Sequence, residues 1–274
     1  MFAIDPKLIA RLAPGLRRVL IVDPNPATAR LLGDLLKSLG AREVLVEGDE
    51  RAAYDLCRDF EPQILFVDYV GPHLDGPAFV RKLRRSHLQC RKSPVILVSS
   101  VATAESIKAA RDSGVHEYLR KPYTAGDLLK RVEVVITKPR NWVEAVAYIG
   151  PDRRRFNSAD YQGPRKRKQD SGKGETSPLE QSVRILKAAV EAFHIDREQA
   201  IRAMTAQVPV LRQASGSLRN AQFHEAATMI AFELASPNPS RDVLVPPVMT
   251  LVRILGIDSQ KSGPKPDQPL SIAI

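Results

Sequence analysis

The sequence predicts an α/β fold, a five-stranded doubly wound parallel sheet, followed by a small all-α region. Two observations carry this. Between Arg18 and Thr137, short apolar runs rich in β-branched residues alternate five times with amphipathic segments of helical period. Runs so poor in polar residues suit strands buried on both faces, with right-handed crossovers placing helices on either side. From Ser177 onward only helical periodicity remains.

Residues 1–16 are read as an N-terminal extension with a short helix, and 17–137 as the α/β domain. The strands are "VLIVD" (19–23), "EVLV" (43–46), "ILFVD" (64–68), "PVILVSS" (94–100) and "EYL" (117–119). In "ATARLLGDLLKSLG", Leu31, Leu32, Leu35, Leu36 and Leu39 form one apolar stripe that Gly40 ends. "DERAAYDLCRDF", "PAFVRKLRRSH", "AESIKAARDSG" and "AGDLLKRVEVVI" supply the other helices. The helical region spans 178–256. Its first helix opens on the capping box "SPLE" and carries Leu179, Val183, Leu186, Val190 and Phe193 at 4-3-4-3 spacing. "DREQ" (196–199) starts a second helix by the same device, a third is expected over 217–235, and a fourth, "VPPVMTLVRILG", stops at Gly256. The tail, 257–274, is Pro-rich and expected to be disordered.

The net charge of +10 is unevenly placed: +4 over 1–137, +5 over 138–175 and +1 over 176–274. Residues 138–177 read as a basic Gly/Pro linker containing a repeat, "YIGPDRRR" (148–155) and "YQGPRKRK" (161–168), spaced 13 residues apart. It is either a linker extended by charge or a pair of anion clamps, in which Arg153, Arg154, Arg155, Lys166, Arg167 and Lys168 would bind phosphates or an acidic partner. Two cysteines build no disulfide framework, and no apolar run has the length of a membrane span. Without a secretory h-region the expected compartment is the cytoplasm.

Ligand sites in doubly wound sheets lie outside the carboxyl ends of the strands. Those ends carry Asp23, Asp68, Ser99 with Ser100, and Lys121 after the fifth strand. Two carboxylates, a hydroxyl and an ammonium at one mouth suit Mg2+ with an anion nearby. A carboxylate beside such a cation can attack phosphorus to give an acyl phosphate, while the lysine and hydroxyl hold the phosphoryl oxygens. Elsewhere, His224 in "NAQFHEAATMIAFEL" reads as a histidine on a helix face of a bundle.

With these residues in place, 17–137 resembles the receiver domain of two-component response regulators, a flavodoxin-like fold. The resemblance implies that Asp68 is the phosphoacceptor and that Ser99 and Lys121, in "RKPY", bind the phosphoryl group. It further implies Tyr118 as the switch aromatic, and Mg2+ held by Asp23, Asp68 and the backbone carbonyl of Val70. A cis peptide is implied at Lys121–Pro122, and "LDG" (74–76) starts the third helix. One departure stands out: where the family has two adjacent acids the sequence reads "VDPN", so the second is Pro24. Weaker metal binding or slower phosphorylation is expected.

These readings make the chain a phosphorelay response regulator, a signalling protein rather than an enzyme. It would be phosphorylated by a sensor histidine kinase or histidine phosphotransfer protein and would act on a downstream protein through its C-terminal helices. The alternatives are a DNA-binding regulator, against which stands the +1 charge of 176–274, and a pseudo-receiver that signals without phosphate. An output enzyme finds no Gly-rich loop or metal triad after residue 138.

Overall fold

A computed structural model describes residues 5–101, 103–153 and 177–257. The chain divides into two units, 1–163 and 164–274. The first begins with α1 (Pro6–Leu12), capped by Asp5, whose side chain accepts from Lys7 N, and a 3-10 turn over Ala13–Leu16. Leu12 and Leu16 sink into the domain core, so the N-terminal extension is part of that core.

The alternation then follows as β1 (Arg18–Val22), α2 (Pro26–Ser38), β2 (Glu43–Glu47), α3 (Glu50–Asp59) and β3 (Ile64–Asp68). A small hairpin, β4 (Val70–Gly71) and β5 (Leu74–Asp75), leads into α4 (Gly76–Arg85). After it come β6 (Val95–Ser99), α5 (Ala104–Ser113), β7 (Glu117–Arg120) and α6 (Ala125–Thr137). The sheet order is β2-β1-β3-β6-β7, every pair parallel. Two cores result, one on each face. Val19, Ile21, Phe66 and Val98 pack on one side with α2 and α6; Leu20, Val22, Leu65, Val67 and Leu97 pack on the other with α3 and α4. Alternate residues of β1 and β3 thus point to opposite faces, as the strand period of two requires. In α2 the leucine stripe is narrower than expected: Leu32, Leu36 and Leu39 are buried, while Leu31 is 60% exposed. A stripe facing a sheet spans about 100° of helix surface, and Leu31 falls outside it.

The reading of 138–177 as a linker is corrected over its first part. Residues 142–151 form a second hairpin, β8 (Trp142–Glu144) and β9 (Ile149–Pro151). Glycines at both surfaces permit the close approach. A Cβ on Gly114 would lie 2.4 Å from the Ile149 carbonyl, and one on Gly150 would lie 2.7 Å from Gly114 Cα. Arg84, 1% exposed, is the other fixture: Nε donates to the Gly114 carbonyl (3.0 Å) and Nη1 to those of Arg91 (2.6 Å) and Ser93 (2.9 Å). Its guanidinium faces the Trp142 ring at 5.3 Å, and Arg91 pairs with Glu144 at 2.6 Å. The hairpin is therefore built onto the start of β7 and the ends of α4 and α5. Basic composition masks this, because its arginines serve packing and internal pairing.

His116 sits in the same region, its Nδ1 accepting from Val95 N at 3.2 Å. Burial, with the Arg84 and Arg140 charges, holds its pKa well below the ordinary 6.5. The folded ring stays neutral while the unfolded one takes up a proton, so this stability is present above about pH 6.5 and lost as pH falls below it. As pH falls below 6.5, unfolding free energy should fall with a slope that steepens toward a limit of about 1.4 kcal/mol per pH unit, the linkage of one proton. Urea titrations at stepped pH check this: His116→Asn, which keeps an acceptor, should flatten the slope.

The second unit contains α7 (Pro178–Glu191), α8 (Arg197–Thr205), α9 (Val208–Ser217), α10 (Ala221–Leu234) and α11 (Arg241–Ile254). Ser177 accepts from Glu180 N and Asp196 from Gln199 N, as the capping sequences require. Among the described residues, five helices stand where four were expected. The third begins at Ala221 rather than 217, because Asn220 caps it by accepting from Phe223 N. The preceding α9 starts with proline in its first turn. The last helix starts at Arg241, ahead of the expected point, and tolerates Pro246 and Pro247 in its interior. Burial of Leu244, Val248, Leu251 and Val252 offsets the backbone bonds those prolines forfeit. The expected tail, from 258 onward, lies outside the described residues.

Candidate functional site

The carboxyl ends of β1 and β3 deliver the two carboxylates. Asp23, 6% exposed, is held from its own loop: Oδ1 accepts from Asn25 N at 2.8 Å and Oδ2 from Thr28 Oγ1 at 2.7 Å. Asn25 in turn caps α2, accepting from Ala27 N and Thr28 N. Asp68 closes β3, with Oδ1 accepting from Tyr69 N at 2.7 Å. Lys121, entering a cis peptide with Pro122, brings its ammonium between the two. Nζ donates to Asp68 Oδ2 at 2.7 Å and to Asp23 Oδ2 at 3.0 Å. Burial works against the charged ammonium, but the two carboxylates outweigh it and raise the Lys121 pKa.

Ser99 ends β6, one step beyond the Asp68–Val98 pair, and its carbonyl accepts from Lys121 N at 2.7 Å. Its hydroxyl is turned toward the following loop, donating to the Val101 carbonyl and accepting from Val101 N, both at 3.0 Å. The Tyr118 hydroxyl donates to the same Val101 carbonyl. Asp23, Asp68 and Lys121 are thus in contact, while Ser99 and Tyr118 meet at Val101, a residue without a sequence signal of its own. Val70 lies in β4 opposite Asp75, its side chain 61% exposed. Asp75 caps α4, accepting from Ala78 N at 2.9 Å.

Pro24 has a structural counterpart. A Cβ on Gly71 would fall 2.1 Å from Pro24 Cγ, so the ring occupies the space above that glycine. Thr28 was also missed from the sequence, although an Asx-cap pattern at Asn25-Pro26 places it within reach of Asp23.

The proposed clamp residues fare differently. Arg153 is engaged inside the first unit, its guanidinium 3.7 Å over the Tyr148 ring and 2.8 Å from Asp112. Tyr148 Oη donates to the Pro151 carbonyl at 2.7 Å. Tyr148 and Arg153 of the first repeat thus serve packing within this unit, and Arg153 is already paired with Asp112. Arg154, Arg155, Lys166, Arg167 and Lys168 lie outside the described residues.

As a metal site, the mouth offers oxygen donors only. Among the described residues no group of three or more His, Cys, Asp or Glu side chains converges. Two carboxylates already compensating one cation fit a hard, hydrated ion of the Mg2+ kind, which binds through one or two carboxylates and keeps several waters.

Residues 19–133 match the family described as response regulator receiver domain. This segment is a receiver domain. The match ends before the helical unit. Among similar proteins, the transcriptional regulatory protein PdtaR of Mycobacterium tuberculosis is 25% identical over 124 residues, 45% of this chain and 58% of that protein. The chemotaxis protein CheY1 of Helicobacter pylori is 28% identical over 120 residues, 43% of this chain and 96% of that protein. The response regulator MprA of Mycobacterium avium is 30% identical over 137 residues, 49% of this chain and 58% of that protein. The chain therefore spans little more than half the length of PdtaR and MprA. Of solved structures, the receiver domain of a Pseudomonas aeruginosa sensor histidine kinase, with magnesium coordinated in its active-site cleft, is 25% identical with a TM-score of 0.41. It covers 44% of this chain and 98% of that one. Among the described residues no helix is long and apolar enough to cross a membrane.

Proposed function

We propose that the receiver accepts a phosphoryl group on Asp68 from a sensor histidine kinase or histidine phosphotransfer protein, and that the helical unit passes the signal on by protein–protein contact. The observation that carries this is the Lys121 ammonium bridging Asp68 and Asp23 at the open rim of the sheet. An Asp68 oxygen attacks the phosphorus of a phosphohistidine; the P–N bond breaks, the imidazole leaves and an acyl phosphate forms. Asp68 thereby loses its own negative charge, and Lys121 transfers its hydrogen bond to a phosphoryl oxygen. Mg2+, when bound, supplies positive charge against the transferring oxygens; Asp68, Asp23 and the Val70 carbonyl are the groups that would hold it.

The readout begins at Ser99. A dianionic acceptor draws its hydroxyl away from Val101. The Val101 carbonyl then loses one of its three hydroxyl donors, keeping those of Ser106 and Tyr118, and the loop that restrains Tyr118 is loosened. Tyr118 and the neighbouring α5 surface respond as a switch.

Incubation with acetyl phosphate, with and without Mg2+, tests the reading. The wild type should gain one acid-stable, base-labile phosphoryl group, and Asp68→Ala none. Absence of labelling under both conditions would favour signalling without phosphate, and equal labelling of the variant would put the acceptor at a residue other than Asp68. Pro24→Asp, which restores a second acid, should increase both the rate and its Mg2+ dependence. A DNA-binding output takes its support from the name of PdtaR; salt-dependent retardation of duplex DNA by the full chain would favour it.

A further inference from the structure

The helical unit carries an open groove of about 570 Å3 between α9 and α10, and its walls differ in character. The α10 wall is apolar and mostly small: Ala227, Thr228, Ala231 and Ala235, with Phe232 at the edge. The inner side of α10 is already used, burying Phe223, Ala226 and Ile230. Its outer side nevertheless leaves Phe232 79% and Met229 45% exposed. A helix apolar on both sides has normally found neighbours for both. On the other wall, Arg212 and Ser215 face the groove, with His224 across from them. The Ser215 hydroxyl oxygen is buried without a hydrogen-bond partner. Among the described residues the Arg212 guanidinium and the His224 ring also lack partners. No carboxylate lines the groove.

We propose that this groove docks an amphipathic α-helix of a partner protein, with bulky apolar residues seated on α10 and a flanking carboxylate on Arg212. His224, Thr228, Ala231 and Ala235 recur at 4-3-4 spacing, the periodicity that an opposing helix reads. From His224 to Ala235 the rise is about 16 Å, matching some three turns of a docked helix. The alanines, and Gly216, at which an added Cβ would meet nothing within 4 Å, leave room for the incoming side chains. Charge decides against a second copy of this chain. An isologous contact sets a patch against itself, and this lining carries Arg212 and His224 with no acid to receive them. The inference rests on reading the helical unit as the output, but it is independent of phosphotransfer.

The test is a displayed library of helical peptides with leucine fixed at i, i+4, i+7 and i+11 and randomised flanks, selected against the full chain. Selected peptides should carry Asp or Glu, not Lys or Arg, on one flank. Phe232→Asp should weaken them about tenfold or more, because it replaces an aromatic contact at the groove's edge with a charge that repels the acidic flank. Arg212→Glu should invert the flank preference toward lysine, which a merely structural role would not do. Circular dichroism verifies that both variants keep their helical content. Running the selection on Asp68→Ala as well separates this proposal from phosphorylation, and binding should be unchanged. Four results would overturn the proposal: no enrichment over the Phe232→Asp chain; basic or neutral flanks among the winners; self-association lost in Phe232→Asp; or binding gained only after residues 258–274 are deleted, which makes the chain's own tail the occupant.

Discussion

Arg84→Met should lower the unfolding free energy by about 3 kcal/mol and loosen the Trp142 hairpin. The guanidinium supplies three charged hydrogen bonds to carbonyls of Gly114, Arg91 and Ser93. Methionine refills most of the volume but leaves buried acceptors unpaired, at about 1–3 kcal/mol each. The loss is partly offset because the native state no longer buries a charge, a burial that lowers the Arg84 pKa to about 9. Arg84→Lys should fall between, since an ammonium keeps the charge but lacks the planar fork that reaches several carbonyls at once. Trp142 is the sole tryptophan in the sequence, so its emission reports the hairpin directly. Urea melts followed by that emission should shift to lower midpoints, with a red-shifted native baseline. An unchanged midpoint would mean the hairpin is held by something other than this arginine.

Lys121→Met should have the second large effect, on stability and labelling together. It leaves Asp23 and Asp68, 6% and 16% exposed, facing one another without their shared cation. Removing one member of a buried ionic group costs about 3–5 kcal/mol, and the partial access of solvent here reduces that to about 2 kcal/mol. Asp68→Asn in the same background removes the repulsion and should recover most of the loss, a coupling that a double-mutant cycle measures. The Lys121 contribution is fully present below the unfolded-state pKa of 10.5 and is lost as pH rises through the elevated folded value. Labelling by acetyl phosphate should fall well below wild type even where the variant is folded. Normal labelling would remove Lys121 from the phosphoryl site.

What could be read from the residues, and what could not, follows from how each signal is encoded. Carboxylates ending long apolar runs have few explanations, because an unpaired charge is not left inside a sheet. Asp23 and Asp68 therefore announced the mouth, and the lysine after β7 supplied their counterion. Val101 was illegible: its role is played by a carbonyl, which every residue has. The β8–β9 hairpin was hidden by three-residue strands too short to show alternation, and by arginines whose partners, such as Asp112 and the Tyr148 ring, lie elsewhere in sequence or behind a turn. The break between α9 and α10 was obscured because Asn220 is an unremarkable residue until its side chain is seen capping Phe223. Leu31 looked like core because a leucine pair at adjacent positions spans more of a helix than a sheet can cover.

The interlock of Pro24 with Gly71 ties together two loops that elsewhere could drift independently. Position 71 can acquire a side chain only if position 24 gives up its ring, so the two sites constrain one another's mutational history. An acid reintroduced at 24 arrives with a void over Gly71, and its full benefit would require a second, compensating change there.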